Sequence, residues 1–412
     1  MRPHFFDQTP DSLAELLTRW GMPRFRGQQV MDWVYRKGVA DPQQMTNLRQ
    51  ADRDLLCREM VFLRGTLVRH QRASDGTQKL LVDWSPAPEP NADTDADGPT
   101  TALPQLSQPD PQNQTECVMI PAVSTPADAA QPGRLRRTAC ISSQVGCPVG
   151  CRFCASGLGG LDGNLTPGQI VQQAWQLSWG LGSRAHGLKQ NNPANQSLPP
   201  RNERSRHQTP DAHPHAQPVT NVVFMGMGEP LANLRGVLPA LRTLAADWGM
   251  NLSARKITVS TVGVPAGIRK LADLDLPVTL AISLHAPNDT IRQQIIPWAE
   301  FVSIQQLLEA GHDYFRKTGR EITLEYILLG GLNDQPDHAR ELAQLARRLR
   351  CNINLIRYNE VAGLPFLRPD DADVQRFQQL LRDAGVNVHI RASRGRDIAA
   401  ACGQLRHEAA AV

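Results

Sequence analysis

The chain has 412 residues, with 44 Lys or Arg against 40 Asp or Glu for a formal charge of +4. At roughly 150 residues per domain this length suits two or three domains and excludes a disulfide-stapled mini-protein. So small a charge surplus cannot by itself announce a nucleic-acid partner, and no run approaches the roughly 20 apolar residues of a membrane-spanning helix.

The opening MRPHFFDQTPDSL lacks the apolar core of a secretory signal, so the chain is expected in the cytosol, with no membrane partner. Helical apolar spacing marks 12–20, 27–37 and 52–60, with Ser12 as an N-cap and Gly38 as a stop. Residues 1–62 therefore read as a small helical N-terminal domain. Residues 65–84 alternate apolar and polar around Asp75-Gly76, the signature of a β-hairpin, and 63–84 are expected to be a hairpin linker.

Residues 85–115 lose all periodicity: 7 of 31 are Pro, 5 are acidic, and no Lys or Arg falls between Lys79 and Arg134. They read as a disordered insertion. Residues 183–218, with 6 Pro, 4 His and 5 Lys or Arg in 36 residues, read as a second. Their histidines are too irregularly spaced for a metal site and suit a solvated loop.

The rest, 116–405, alternates β-rich runs with amphipathic segments and reads as the catalytic domain, with 406–412 as a tail. Strands are expected at 138–142, 219–225, 256–260, 278–284, 321–328 and 352–357. Helices are expected at 167–181, 234–248, 265–274, 303–317, 336–350 and 370–384. Six β-α units in series imply an α/β fold with parallel strands and helices outside, as in a doubly wound sheet or an open barrel. Chemistry in such folds gathers at the carboxyl ends of the strands. The informative residues follow the strands accordingly: a cysteine cluster, then GMGEP (226–230), Ser260, SLH (283–285) and Asn359.

The chain contains eight Cys, a low density, and in a reducing compartment spaced cysteines more often bind metal or do chemistry than form disulfides. Cys147, Cys151 and Cys154 form CxxxCxxC on the glycine-containing loop VGCPVGCRFCASG. Three thiolates from one loop suit an iron-sulfur cluster with one iron free of protein ligands, whereas structural zinc takes four. The rival is a zinc site completed by Cys140, which would make the chain a zinc-stabilised RNA-binding module without catalysis.

CxxxCxxC followed by GMGEP after the next strand resembles the radical S-adenosylmethionine (radical SAM) superfamily. CISSQVGCPVGCRFCASG, FMGMGEPLAN, ITVSTVG, LAISLHAPND, EYILLGGLND and RGRDIAAACGQL, with FRGQQVMDWVYRKG at 25–38, are similar to the RlmN/Cfr family of radical SAM RNA adenosine methyltransferases. The likeness covers nearly the whole chain apart from the two insertions. It implies a partial (β/α)6 barrel, with the N-terminal domain binding RNA. It also implies one 4Fe-4S cluster on Cys147, Cys151 and Cys154, and two SAM molecules per turnover.

Carried over position by position, the SAM contacts are Gly228 and Glu229, Ser260, Ser283, Leu284 and His285, and Asn359, with Gly226 in the same turn. Family chemistry assigns Cys402 to carry a methyl group from the first SAM. A 5′-deoxyadenosyl radical from the second activates that methyl for addition to adenine. Cys140 is then implied to resolve the adduct through a transient disulfide, and Glu116 to accept the proton. The chemistry is legible in itself: adenine C2 is not nucleophilic, and a thiol is both a strong nucleophile and a source of weakened C–H bonds. Cys57, Cys117 and Cys351 match no motif and read as structural.

The resemblance further implies 23S rRNA and tRNA as substrates, methylated at adenine C2 in the RlmN manner or at C8 in the Cfr manner. An external electron donor such as flavodoxin and a monomeric state are expected with it. Residues 1–84 hold 13 Lys or Arg against 10 acidic residues, and 391–396 (RASRGR) pack three Arg near Cys402, suited to holding phosphates. Trp298-Ala299, Arg357 and Glu360 depart from the family pattern in loops.

Overall fold

The computed structural model describes residues 2–85, 111–122, 136–181 and 218–405. Most of both expected insertions and the tail therefore lies outside the described residues.

The chain begins with three helices, α1 (Pro10–Arg19), α2 (Arg26–Met31, continued by a π-helical turn Asp32–Arg36) and α3 (Gln50–Glu59). The N-cap of α1 is Thr9, whose side chain accepts from the Ser12 N–H, while the Ser12 side chain accepts from the Thr9 N–H. Ser12 is thus the third residue of a capping box and not the cap, a difference of one turn that Pro10 at the first helical position enforces. Gly38 does end the second helix, at φ +70°, where any Cβ would strike the Trp179 ring.

A hairpin follows, β1 (Thr66–Arg72) and β2 (Gln78–Asp83), and then β3 (Gln114–Pro121), which runs antiparallel between β2 and β4 (Arg137–Cys140). Residues 114 and 115 thus belong to a strand, where the first insertion was expected to extend to 115. The polar start of β3 hides it from pattern reading. Its burial is made possible by partners: Trp84 Nε1 donates to Thr115 Oγ1 at 2.7 Å, and Lys79 pairs with Glu116 at 2.6 Å.

A small two-stranded sheet, β5 (Gln144–Gly146) with β6 (Leu161–Asn164), flanks the cysteine loop. The repeating units come next: α4 (Pro167–Trp175), β7 (Asn221–Phe224), α5 (Leu234–Ala245), β8 (Ile257–Thr261), α6 (Pro265–Ala272) and β9 (Thr279–Ser283). They continue through α7 (Asp289–Ile295), α8 (Ile304–Thr318), β10 (Ile322–Leu328), α9 (Pro336–Ala346), β11 (Cys351–Arg357), α10 (Asp371–Asp383) and β12 (Val388–Arg391). The large sheet is ordered β1-β2-β3-β4-β7-β8-β9-β10-β11-β12 among the described residues. It is parallel from β4 to β12. Strand β12 adds a seventh parallel strand to the six expected; its VHIR is too short to show alternation.

This is the partial β/α barrel that the resemblance implied. The gap between the edge strands β1 and β12 is bridged by bonds to the turn of the β1–β2 hairpin and to the start of β2. Asp75 accepts from the Gly395 N–H at 3.0 Å, Asp397 accepts from the Ser74 N–H at 2.8 Å, and Lys79 Nζ donates to the Ala399 carbonyl at 3.3 Å. The hairpin is therefore a closing element of the barrel and more than the linker expected of it. One buried core continues from Phe5, Leu13 and Tyr35 through Trp175 to Leu324 and Val388. Trp175 Nε1 donates to the Val34 carbonyl at 2.8 Å, fastening the N-terminal helices to α4. Among the described residues, no helix is long and apolar enough to cross a membrane.

Candidate active site

Glycine geometry shapes the cysteine loop. Gly146 sits at φ +73°, and a Cβ there would lie 2.1 Å from the Gly160 carbonyl oxygen, the same oxygen that accepts from the Cys147 N–H at 2.6 Å. Cys147, Cys151 and Cys154 then line one cavity of about 140 Å³ with Gly226, Gly228 and Glu229. Burial pushes all three thiols up, Cys147 to about 12, and the neighbouring sulfurs reinforce this. Thiols so placed ionise only against a compensating cation.

The donor set fits a cluster better than zinc. Cys140 does not line this cavity, so it supplies no fourth ligand. A 4Fe-4S cluster instead takes each thiolate on a different iron.

The GMGEP turn follows β7. Gly228 has φ +98°, and a Cβ there would lie 2.6 Å from Gln144 Cβ; at Gly226 it would lie 2.7 Å from the Ile141 carbonyl. Glu229 is buried, its carboxylate accepting from the Leu231 N–H at 2.9 Å and the Val262 N–H at 2.7 Å. Burial pushes its pKa up and these donors pull it back. Gln144 fixes the turn from the other side by accepting from the Glu229 N–H at 2.8 Å. The carboxylate keeps lone pairs for a further donor.

Ser260, Ser283 and His285 line the same cavity, with the two hydroxyls 3.4 Å apart. His285 has φ +62°, and its Nδ1 accepts from the Ile327 N–H at 3.1 Å, leaving Nε2 to carry the proton. Burial and the Arg292 guanidinium push its pKa down to about 3, so the ring is neutral. The Leu284 side chain is fully buried in the hydrophobic core, so only its main chain is left to face the cavity between Ser283 and His285. Neighbouring side chains at a strand end face opposite ways, so Ser283 and His285 exclude the Leu284 side chain. Its carbonyl is held by Arg292, which is itself fully buried and donates to the Leu284, Val302 and Val262 carbonyls.

Beneath this upper cavity lies the barrel lumen, a second cavity of about 490 Å³. Cys402 lines both, and Cys140 lines the lumen. The Cys402 turn is tied down on two sides: Asn359 Nδ2 donates to its carbonyl at 3.2 Å, and the Ala155 N–H of the cysteine loop donates to the Gly403 carbonyl at 2.8 Å. Asn359 thus stands in the lumen holding the turn, apart from Ser260 and Ser283. Burial pushes the Cys140 thiol up to about 12, and Cys402 adds to this, so the two sulfurs are electrostatic neighbours.

Glu116 lies on β3 in its ion pair with Lys79, and its carbonyl accepts from Ser142 Oγ at 2.7 Å; it lines neither cavity. Two of the RASRGR arginines stand beside carboxylates of the protein. Arg391 faces both cavities and lies 3.8 Å from Glu325, while Arg394 pairs with Asp75 of the hairpin turn at 3.8 Å. Sequence reading missed Gln144, Lys79, Arg292, Glu325 and Asn354. Glu325 left a trace, a charged residue at the middle of an otherwise uncharged strand (ITLEYIL), and Asn354 is the second of two Asn in CNINLIR.

A family model described as the ribosomal RNA large subunit methyltransferase N-terminal domain matches residues 4–61. The chain is 38% identical to a probable dual-specificity RNA methyltransferase RlmN of Rhodopirellula baltica, over 98% of this chain and 90% of that protein. It is 37% identical to the dual-specificity RNA methyltransferase RlmN of Nitratidesulfovibrio vulgaris, over 95% of this chain and 92% of that one. A crystal structure of a radical SAM methyltransferase from Sphaerobacter thermophilus superposes with a TM-score of 0.78 at 36% identity, covering 98% of this chain and 100% of that one.

Proposed function

Since the chain belongs to the RlmN family of radical SAM RNA methyltransferases, we propose that it methylates carbon 2 of specific adenosines in 23S rRNA and tRNA. The position of Cys402 carries this reading, because it lines both the cysteine-loop cavity and the lumen that holds Cys140. A methyl carrier must meet SAM on one side and the base on the other.

Family membership implies an iron-sulfur cluster and SAM, and Cys147, Cys151 and Cys154 would hold one 4Fe-4S cluster. When bound, that cluster supplies the electron that cleaves SAM. In the turn that Gly228 makes possible by letting Gln144 approach, Glu229 would accept from the SAM amino group, and Ser260, Ser283 and neutral His285 would border the remainder of the molecule. Cys402 would take the methyl group of a first SAM by displacing S-adenosylhomocysteine and carry it as a thioether, whose methyl must give up a hydrogen atom to the radical that a second, cleaved SAM would supply before its carbon can bond to adenine. The family resemblance alone assigns the proton released from the base to Glu116, whose carboxylate is paired with Lys79 and borders neither cavity. Cys140 would then attack the Cys402 sulfur, the S–S bond forming as the S–C bond to the product breaks and the freed methyl carbon takes up a proton; an external thiol reductant would return the pair to two thiols. An external donor such as flavodoxin, a monomeric state and a cytoplasmic setting complete the proposal.

The test is anaerobic reconstitution with a 23S rRNA fragment and with tRNA, followed by nuclease digestion and mass spectrometry against authentic nucleosides. 2-Methyladenosine in both RNAs is the expected product. 8-Methyladenosine, or no methylated adenosine, overturns the reading.

A further inference from the structure

One buried group at the junction of the two cavities is left without a role by the steps above. Glu325 is 2% exposed and lines both cavities. Its Oε1 accepts from Asn354 Nδ2 at 3.0 Å, whereas Oε2 is buried without a hydrogen-bond partner. The cation beside Oε2 is Arg391, with Nη1 at 3.8 Å, outside hydrogen-bond reach. That Nη1 also lies 3.1 Å from Met225 Sδ, a weak acceptor. Burial pushes the Glu325 carboxyl up, and Arg391 and Asn354 pull it back. A buried carboxylate oxygen left unbonded is costly, and an incoming N–H donor would remove that cost.

The surroundings have the size and polarity of a nucleoside site. Parallel barrels ordinarily fill their interior with bulky branched side chains. Here Thr258, Thr279 and Thr323 take inward positions on three successive strands and leave the lumen of about 490 Å³ open. Cys402 borders the same space.

We infer that Glu325 and Arg391 together read the amine edge of the substrate adenine, Glu325 Oε2 accepting from the N6 amine and Arg391 donating to the adjacent ring nitrogen. This rests on the proposal that the substrate is an RNA adenosine. Adenine presents a donor beside an acceptor, which matches an acceptor beside a guanidinium. Hypoxanthine and guanine reverse the order, setting a carbonyl oxygen against the carboxylate. Sites built to bond a particular donor reject analogues lacking it far more strongly than apolar pockets do. SAM also carries an adenine, so the test separates the two sources.

The experiment compares kcat/KM for RNA carrying adenosine or inosine at the target position, using wild type, Glu325→Gln and Glu325→Ala. Intrinsic differences in ring reactivity cancel when ratios are compared between proteins. Glu325→Gln preserves shape, and its amide can turn an N–H toward the inosine carbonyl. The adenosine-to-inosine preference is expected to fall at least tenfold in both variants, with the Kd for SAM, measured without RNA, within about twofold of wild type. An unchanged preference overturns the inference. A tenfold weaker SAM Kd would assign the pair to the adenine of SAM and overturn it too. Wild-type methylation of the adenosine RNA reports on the functional proposal, and only the ratio reports on this one.

Discussion

The upper cavity and the lumen share Cys402 but are assembled in opposite ways. The upper cavity is built from turns, each supplying several groups from a few consecutive residues: Cys147 to Cys154, Gly226 to Glu229, Ser283 and His285. The lumen takes alternate residues from successive strands, such as Thr138 and Cys140, Val223 and Met225, Thr323 and Glu325, and Asn354 and Ile356, with short runs at 120–122, 391–394 and 400–402 completing its wall. Turns can pack backbone N–H groups and positive-φ glycines around a ligand. Strands offer one inward side chain in every two, which makes a corridor with few strong contacts.

The largest effect that could break this contrast is loss of the cysteine loop. Replacing Cys147, Cys151 or Cys154 by Ala is expected to abolish iron binding and reductive SAM cleavage together, measured by iron content, absorbance near 400 nm (the usual region for such clusters) and 5′-deoxyadenosine release. A single variant that kept a full cluster and normal cleavage would remove that residue from the ligand set.

Next comes the pair that joins the cavities. Cys402→Ala should accept no methyl group and form no bond to RNA. Cys140→Ala should accumulate protein joined to RNA through Cys402, because the adduct lacks its resolving thiol. Denaturing electrophoresis with peptide mapping separates these outcomes, and an adduct on any other cysteine would overturn the assignment. Two merely packed thiols would instead cost a little stability and leave methylation intact.

The same contrast explains what could be read in the sequence. The cysteine loop, GMGEP and SLH were legible because turn chemistry is written in adjacent residues, as were the alternating strands and helices. Strand β3 was hidden because its first residues, Gln114, Thr115 and Glu116, are polar and become buried only through Trp84 and Lys79, which lie about 30 or more residues away in the chain. Helix α7 went unseen because its seven residues are too few to show a period. Leu284 stands between Ser283 and His285, and alternation turns its side chain to the core. Glu325 and Asn354 declare themselves only once β10 and β11 are paired in register, Glu325 opposite Asn354.

A smaller effect tests whether the upper turns are as rigid as their bonding implies. In Glu229→Gln one carboxylate oxygen becomes an NH2 that faces a backbone N–H, either of Leu231 or of Val262. The expected cost is about 2–3 kcal/mol of stability, from a lost charge-assisted bond and a buried donor left unpaired. Chemical denaturation of the anaerobic protein measures it. A change under about 0.5 kcal/mol, the range of ordinary surface substitutions, would show that water replaces the missing acceptor and that the turn is looser than its geometry indicates.

The smallest effect lies where the lumen meets the Cys402 turn. Asn359 donates one neutral hydrogen bond, to the Cys402 carbonyl at 3.2 Å, and its own oxygen is approached by Arg368 at 3.4 Å. Asn359→Ala should therefore cost about 1 kcal/mol of stability. The catalytic consequence depends on what the residue does. As a tether of the turn, it should slow methyl loading of Cys402 severalfold at saturating SAM while leaving the Kd for SAM unchanged. As a direct SAM contact, its removal should instead weaken SAM binding at unchanged loading rate. Its place in the lumen, away from Ser260 and Ser283, favours the first outcome. A weaker Kd with normal loading would return Asn359 to the SAM-binding set and shift the boundary between the two cavities by one residue.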